Sequence, residues 1–174
     1  MAIVRRHHPR IVGLTGTVSK QYDGDNIATL AAGNYSLSNF YSTDSSTVTV
    51  ATTAGTYNDK TANTGKTVSV TGLTLTGTKS GNYQLSSTSL SSAVGTISAK
   101  ALTLTGLTGT DRNYTGLTTV ALAGTAAFSG LIGSDTVTLG GTGVGNTADA
   151  NVGTTKAVTV SGYTISGTDS SNYS

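Results

Sequence analysis

The sequence predicts an all-β chain, two tandem antiparallel β-sandwich (immunoglobulin-like) repeats, and three observations carry that expectation. Thr, Ser and Gly supply 79 of the 174 residues, beside one Pro and no Cys, Trp or Glu. Thr favours strands, and both Thr and Gly are weak helix formers. Apolar residues alternate with Thr or Ser, as in Val48/Val50, Val68/Val70, Leu73/Leu75, Leu102/Leu104 and Val158/Val160. A period of two turns one face of a strand inward and leaves the other wet. The third observation is a duplication: residues 66–83 return as 156–173, with 10 of 18 positions identical and most others exchanging Thr for Ser or apolar for apolar. Self-similarity at a fixed offset marks a repeated structural unit.

The duplication sets the domain organisation. Residues 10–14 answer 100–104, Tyr22-Asp23-Gly24 answers Tyr114-Thr115-Gly116, 47–50 answer 136–139, and Asp59 answers Asp149. Residues 1–9 then form a basic leader, 10–99 a first β repeat and 100–174 a second, shortened at its C-terminal end. Gly, Asn, Asp and Ser clusters recur roughly every 8 to 12 residues, the turn spacing of a sandwich of short strands. They delimit strands at 11–18, 27–32, 35–41, 47–53, 66–71, 73–78, 83–88 and 93–98 in the first copy. The second copy offers 101–107, 117–123, 126–131, 136–140, 156–161 and 163–168. The Gly140 to Asn146 stretch reads as a turn. In both copies the alternation slips by one residue at a glycine, Gly72 and Gly162; a β-bulge or a strand-to-sheet crossover accounts for an extra residue where the buried face switches. A β-solenoid needs a repeat of about 20 to 30 residues, and the chain shows only the long period.

Copy one continues from Gln84 through Ile97, beyond the point that corresponds to Ser174 in copy two. One or two strands are therefore expected to be missing from the second repeat, leaving a sheet edge or core face uncovered. Completion by a strand of another molecule, from Ala2-Ile3-Val4 or Ile11-Val12, would make the chain a self-assembling filament subunit.

Composition excludes several function classes. The formal charge is +2, but Arg5, Arg6 and Arg10 lie in the first ten residues and the remainder is close to neutral. The run Arg5-Arg6-His7-His8-Pro9-Arg10 has no interleaved aromatics, so no nucleic-acid partner is expected. No window of 18 apolar residues exists, so no helix inserts in a membrane. Hydrophobic residues at 36% and charged residues at 10% argue against disorder. Absence of Cys removes disulfides and thiolate metal sites, a simplicity compatible with export.

The run at 16–30 around Tyr22-Asp23-Gly24, the run at 63–77, Gly81-Asn82-Tyr83-Gln84-Leu85 and the closing 97–103 together resemble the YDG repeat, found in tandem in large secreted bacterial adhesins of the filamentous-haemagglutinin type. The resemblance covers about residues 10–174. Copy two departs at Thr115, which stands where copy one has Asp23. The resemblance implies an extracellular or bacterial cell-surface location and a non-enzymatic stalk that spaces and presents a binding region. Its partners would be neighbouring repeats or copies of itself, and it brings no catalytic residues and no cofactor. The repeat-motif residues are Tyr22, Asp23, Gly24, Gly72, Asn82 and Tyr83 in the first copy, with Tyr114, Gly116, Gly162, Asn172 and Tyr173 in the second.

Each chemistry-bearing motif has a plainer reading beside it. Hydrolysis needs a base beside a nucleophile or two acids in one cleft; the only histidines, His7 and His8, precede the first repeat, and the eight Asp sit mostly in turn contexts. Asp23-Gly24-Asp25-Asn26 has oxygens at alternate positions, as calcium would want, but lacks the rest of an EF-hand loop, and an Asp-stabilised turn is preferred. Gly140-Gly141-Thr142-Gly143-Val144-Gly145 is not followed by a helix and makes no phosphate cradle. Tyr22, Tyr83, Tyr114 and Tyr173 occupy equivalent places, which favours rings in the core with hydroxyls at the rim over a platform for host or surface glycans. Flat Thr rows would instead suit ice. Asn34, Asn113 and Asn172 head N-x-S/T sequons that a Thr/Ser-rich chain produces by chance, and Lys20, Lys66 or Lys156 beside an Asn would permit an amide crosslink.

Overall fold

A computed structural model describes residues 10–41, 43–51 and 54–174. The basic leader, with His7, His8 and Ala2-Ile3-Val4, lies outside the described residues. Among those described there is no α-helix, and the chain divides into two compact units, Met1–Ala99 and Lys100–Ser174.

The first unit contains β1 Arg10–Leu14, β2 Val18–Gln21, β3 Ile27–Thr29, β4 Tyr35–Ser38, β5 Thr49–Val50, β6 Ala54–Tyr57, β7 Asn63–Val70, β8 Leu75–Thr76 and β9 Leu90–Ser98. Its main sheet has the order β2-β9-β7-β6-β3, with β1-β4 and β5-β8 as two-stranded ribbons. The expected purely antiparallel arrangement needs one correction: β2 and β9 run parallel, Val18 opposite Gly95 and Gln21 opposite Ser98. A parallel pair demands a long connection, and here the whole of β3 to β8 supplies it.

Alternation places the core. Val18, Ala28, Val68, Val70 and Ile97 are each at most 2% exposed, whereas their strand neighbours Ser19, Thr29, Thr67 and Ser98 are exposed. Burying each large aliphatic side chain is worth about 1.5–3 kcal/mol, so this stripe outweighs any surface contact. Tyr57, also 2% exposed, lies across β9, and a Cβ on Gly95 would sit 2.7 Å from its ring. Gly95 therefore leaves room for an aromatic ring against this interior strand. Ile11 and Val12 fall in β1, already paired to β4 through Ile11 opposite Leu37, so the strand expected to be donated from there is in use.

The second unit contains β10 Thr103–Gly109, β11 Thr119–Val120, β12 Leu122–Ser129, β13 Thr138–Thr147 and β14 Val158–Ser166. These form an antiparallel β11-β13-β14 sheet and a β10-β12 ribbon. The Gly-rich stretch read as a turn is the middle of β13. Its glycines serve packing: a Cβ on Gly143 would meet the Tyr163 ring at 2.4 Å, and one on Gly145 would meet Leu122 and Val158 at 2.8 and 3.0 Å.

Other boundaries moved for local reasons. The strand expected at 11–18 breaks between β1 and β2, where Gly16 has φ +67°. Residues 83–88 form no strand. Single 3-10 turns stand at Ala32–Asn34, Ser80–Asn82 and Ser170–Asn172, each ending on an extended tyrosine. Gly72, at φ +71°, stands where the chain leaves the main sheet at the end of β7 and enters the ribbon at β8. Gly162 stays within β14, opposite a register break between Gly141 and Val144. The two copies thus use the two devices that a phase slip allows, crossover in one and bulge in the other.

Gly65 and its counterpart Thr155 share a left-handed backbone, φ +66° and +52°. A β-branched residue is strained there, at a cost of about 1–2 kcal/mol. Thr155→Gly is expected to stabilise the second unit by about 1 kcal/mol, part of the relief being offset by unfolded-state entropy. Denaturant midpoints of the two proteins check this, and an unchanged or lower midpoint would contradict it.

Candidate functional site

Among the described residues the chemically organised features are small polar clasps of three kinds. The first is the turn at Tyr22-Asp23-Gly24. Tyr22 is 2% exposed, and its N–H donates to the Ser98 carbonyl at the end of β9, 2.9 Å. Gly24 takes φ +88° and reverses the chain. Asp23 accepts from the Asp25 N–H and Asp25 from the Ile27 N–H, 3.2 and 2.8 Å. Lys20 Nζ then bridges both carboxylates, 2.6 Å to Asp23 and 2.5 Å to Asp25, and lies 5.9 Å above the Tyr57 ring centre. Burial works to lower the Lys20 pKa, but hydrogen bonds and charge from the two aspartates outweigh it and the net shift is upward. Lys20 in turn holds the Asp25 carboxyl below its ordinary range, helped by the Ile27 amide. The oxygens that suggested calcium converge on an ammonium group of the chain itself.

The second copy keeps this turn with different chemistry. Gly116 has φ +74°, and Arg112, at the place of Lys20, donates to Thr115 Oγ1 at 2.5 Å and to the Leu117 carbonyl. A hydroxyl and a carbonyl replace the two carboxylates around a retained cation. Tyr114 corrects the expectation of a ring in the core, for it is 68% exposed. Tyr22 is pinned by β9, and the described residues of the second unit include no strand in that place.

The second clasp closes the turn after β6 in the first unit and after β13 in the second. Lys66 Nζ lies 2.5 Å from Asp59, with side-chain exposures of 3% and 46%. Lys156 lies 2.5 Å from Asp149, at 25% and 53%. The Lys66 hydrogen bond, followed by the Thr61 hydroxyl and amide, lowers the Asp59 pKa to about 2. Lys156, with the Asn151 amide, lowers that of Asp149. Both lysines meet an aspartate carboxylate, and Lys156 also donates to the Asn151 backbone carbonyl at 2.8 Å.

The third clasp follows the 3-10 turns. Tyr83 and Tyr173 are 3% and 5% exposed, and their hydroxyls donate to Asp44 at 2.9 Å and Asp135 at 2.5 Å. Burial, and then the carboxylate, raises the pKa of each phenol. Asn82 supplies the last residue of one turn and Asn172, 2% exposed, that of the other. At the third such turn the Asn34 amide donates to the Thr15 carbonyl at 3.1 Å, so this sequon nitrogen is engaged.

The match to family models decides what these recurring clasps belong to: the YDG domain matches residues 9–90 and again 98–174. The chain belongs to the YDG-domain family. Neither curated proteins nor solved structures returned a match. In this YDG chain the motif tyrosine is a core residue of the first unit, its aspartate a turn anchor and its glycine the reversal. Sequence reasoning missed Asp44 and Asp135 as partners of the motif tyrosines, Tyr57 as the ring over β9, and the pairing of Asp59 with Lys66. The signal for the first was faint: the tyrosines are equivalent, but with 47–50 set against 136–139 Asp44 answers Gly133 and Asp135 answers Ser46, so the two aspartates reach equivalent hydroxyls from positions that do not align.

No group of three His, Cys, Asp or Glu able to hold a metal occurs among the described residues. The aspartates of the clasps are each committed to a lysine, a phenol or a turn amide, which fixes loops rather than activating a nucleophile. Asp59→Asn leaves the buried Lys66 ammonium without its counter-ion and is expected to cost about 2 kcal/mol, below the usual figure for a buried pair because Asp59 is half exposed. Asp149→Asn should cost less. Because the folded pKa of Asp59 is depressed, its contribution is present above about pH 4 and lost as pH falls toward 2; urea titrations across that range should show the loss in the parent and a flatter profile in Asp59→Asn. Tyr83→Phe should destabilise, whereas Tyr35→Phe should gain about 1 kcal/mol, since the buried Tyr35 hydroxyl has no hydrogen-bond partner among the described residues and removing it ends a desolvation cost.

Proposed function

We propose that this YDG chain is a non-enzymatic structural stalk of a bacterial cell-surface or secreted adhesin, spacing a binding region from the surface in the extracellular medium. In this reading each unit is an immunoglobulin-like sandwich module, and its partners are neighbouring repeats or further copies. The observation that carries the reading is the recurrence of a Lys–Asp clasp on equivalent residues and of a Tyr–Asp clasp on equivalent tyrosines in both units. Chemistry preserved between copies is the chemistry of holding loops closed, and a spacer needs that more than a reactive pocket. The outward faces, rich in Thr and Ser with few charges, suit an inert surface.

The alternatives draw less support. Of eight tyrosines, five are buried, Tyr163 is half-buried, and the exposed Tyr41 and Tyr114 belong to different units, so neither unit offers a glycan platform of paired rings. The long pairs β7-β9, β10-β12 and β13-β14 each carry register shifts, which break the even Thr spacing that an ice lattice would need.

Changing the number of YDG repeats in the surface-anchored parent protein tests the stalk reading. Cell attachment should fall as repeats are removed while soluble binding of the receptor stays constant. Specific binding of a glycan or host protein by the isolated chain, at the affinity of the parent, would overturn it.

A further inference from the structure

The two units differ most where β9 stands in the first. There β9 is a central strand, antiparallel to β7 on one side and parallel to β2 on the other. Among the described residues of the second unit no strand stands in the place of β9. The consequences can be followed residue by residue. β14, the counterpart of β7 and β8, is the outer strand of its sheet. Residues 153–157, counterparts of 63–67, are not in a strand, and neither are 110–113, which answer β2. Val68 and Val70 are 0% and 1% exposed, whereas Val158 and Val160 are half-buried. Tyr22 is 2% exposed and Tyr114 68%.

The stretch leading into β9 has its own place. In the first unit the Leu73 N–H donates to the Thr88 carbonyl, 3.0 Å, and Leu14, Val50 and Leu73 are buried. Their counterparts Leu104, Leu139 and Tyr163 line an open apolar groove of about 470 Å³ that runs to Ser174. An outer strand edge, an apolar groove, a stretch outside any strand at 153–157 and an exposed tyrosine thus coincide with the places that β9 and its lead-in cover in the first unit.

We propose that the outer edge of β14, with this groove, is an acceptor site for an added strand of the β9 type: an extended, uncharged segment with the residue pattern of 85–98. Main-chain bonds along β14 would supply affinity, and alternate apolar side chains seated in the groove would supply register. The first unit shows the occupant in place on the equivalent edge, with Val70 opposite Leu90 and Val68 opposite Ser92. The expected pairing is thus Val160 opposite the leucine and Val158 opposite the serine two residues later. The inference stands on the second unit alone and does not depend on the stalk role.

The test adds a synthetic peptide with the sequence of residues 84–98 to the full chain and follows amide exchange residue by residue. A second protein carries 14 of these 15 residues, 85–98, fused after Ser174, where tethering raises the effective concentration to the millimolar range. Exchange at residues 158–161 should slow at least tenfold in one or both, with Tyr114 losing solvent exposure, while a scrambled sequence does neither. No added protection in either form, or equal protection by the scrambled sequence, would overturn the proposal. So would a chain that dimerises through β14 and that the peptide fails to dissociate.

Discussion

The first unit depends on β9 being inserted between two strands that are distant in sequence. β7 pairs with it from Leu90 to Ile97 and β2 from Gly95 to Ser98, so its C-terminal half, where Gly95 and Ile97 are buried, has backbone partners on both sides. Its C-terminal end also ties down the YDG turn, since the Ser98 carbonyl takes the Tyr22 N–H and the Ser98 hydroxyl reaches the Lys20 carbonyl at 3.3 Å. Gly95 opens the space over which the Tyr57 ring lies, and the Tyr57 hydroxyl donates to the Val18 carbonyl at 3.0 Å. One strand thus links β2, β7, the motif tyrosine and the aromatic ring above the sheet.

The clasps are secondary to that insertion in energy and different from it in kind. Ion pairs at the surface contribute about 0–1 kcal/mol, and even the half-buried Asp59–Lys66 pair is small against a stripe of fully buried aliphatic residues. Their value lies in geometry. Each closes a turn at a fixed place, and replacement of Lys20 and its two aspartates by Arg112, Thr115 and a carbonyl shows that the geometry is kept while the charges are exchanged. The second unit shows what clasps do without the central strand: its turns keep their shape, while among the described residues only Val120 and Tyr173 of its apolar side chains are buried, against fourteen in the first unit.

Much of this was legible in the sequence because period-two alternation and duplication are local signals. Val68, Val70 and Leu73 could be read as inward-facing, and Gly72 and Gly162 as the sites of a phase slip, from spacing alone. The parallel pairing of β2 with β9 was not legible, since nothing in either strand encodes the direction of a partner some 75 residues away. The Gly140 to Asn146 stretch was misread because glycine signals a turn in isolation; here its missing side chains make room for Tyr163, Leu122 and Val158. Tyr114 was misplaced for a related reason: equivalence of sequence carries equivalence of burial only where the covering strand is also repeated. The Tyr–Asp clasps joined residues 39 and 38 positions apart, a separation that only comparison of the two copies could have bridged.

Native-state hydrogen exchange across the whole chain in increasing denaturant tests the central role of β9 most directly. The account predicts that amides of β7 and β9 open only with global unfolding of the first unit, and that those of β13 and β14 open at lower free energy in a separate step. Equal protection of the two units, or a β9 that exchanges before β3 and β6, would contradict it.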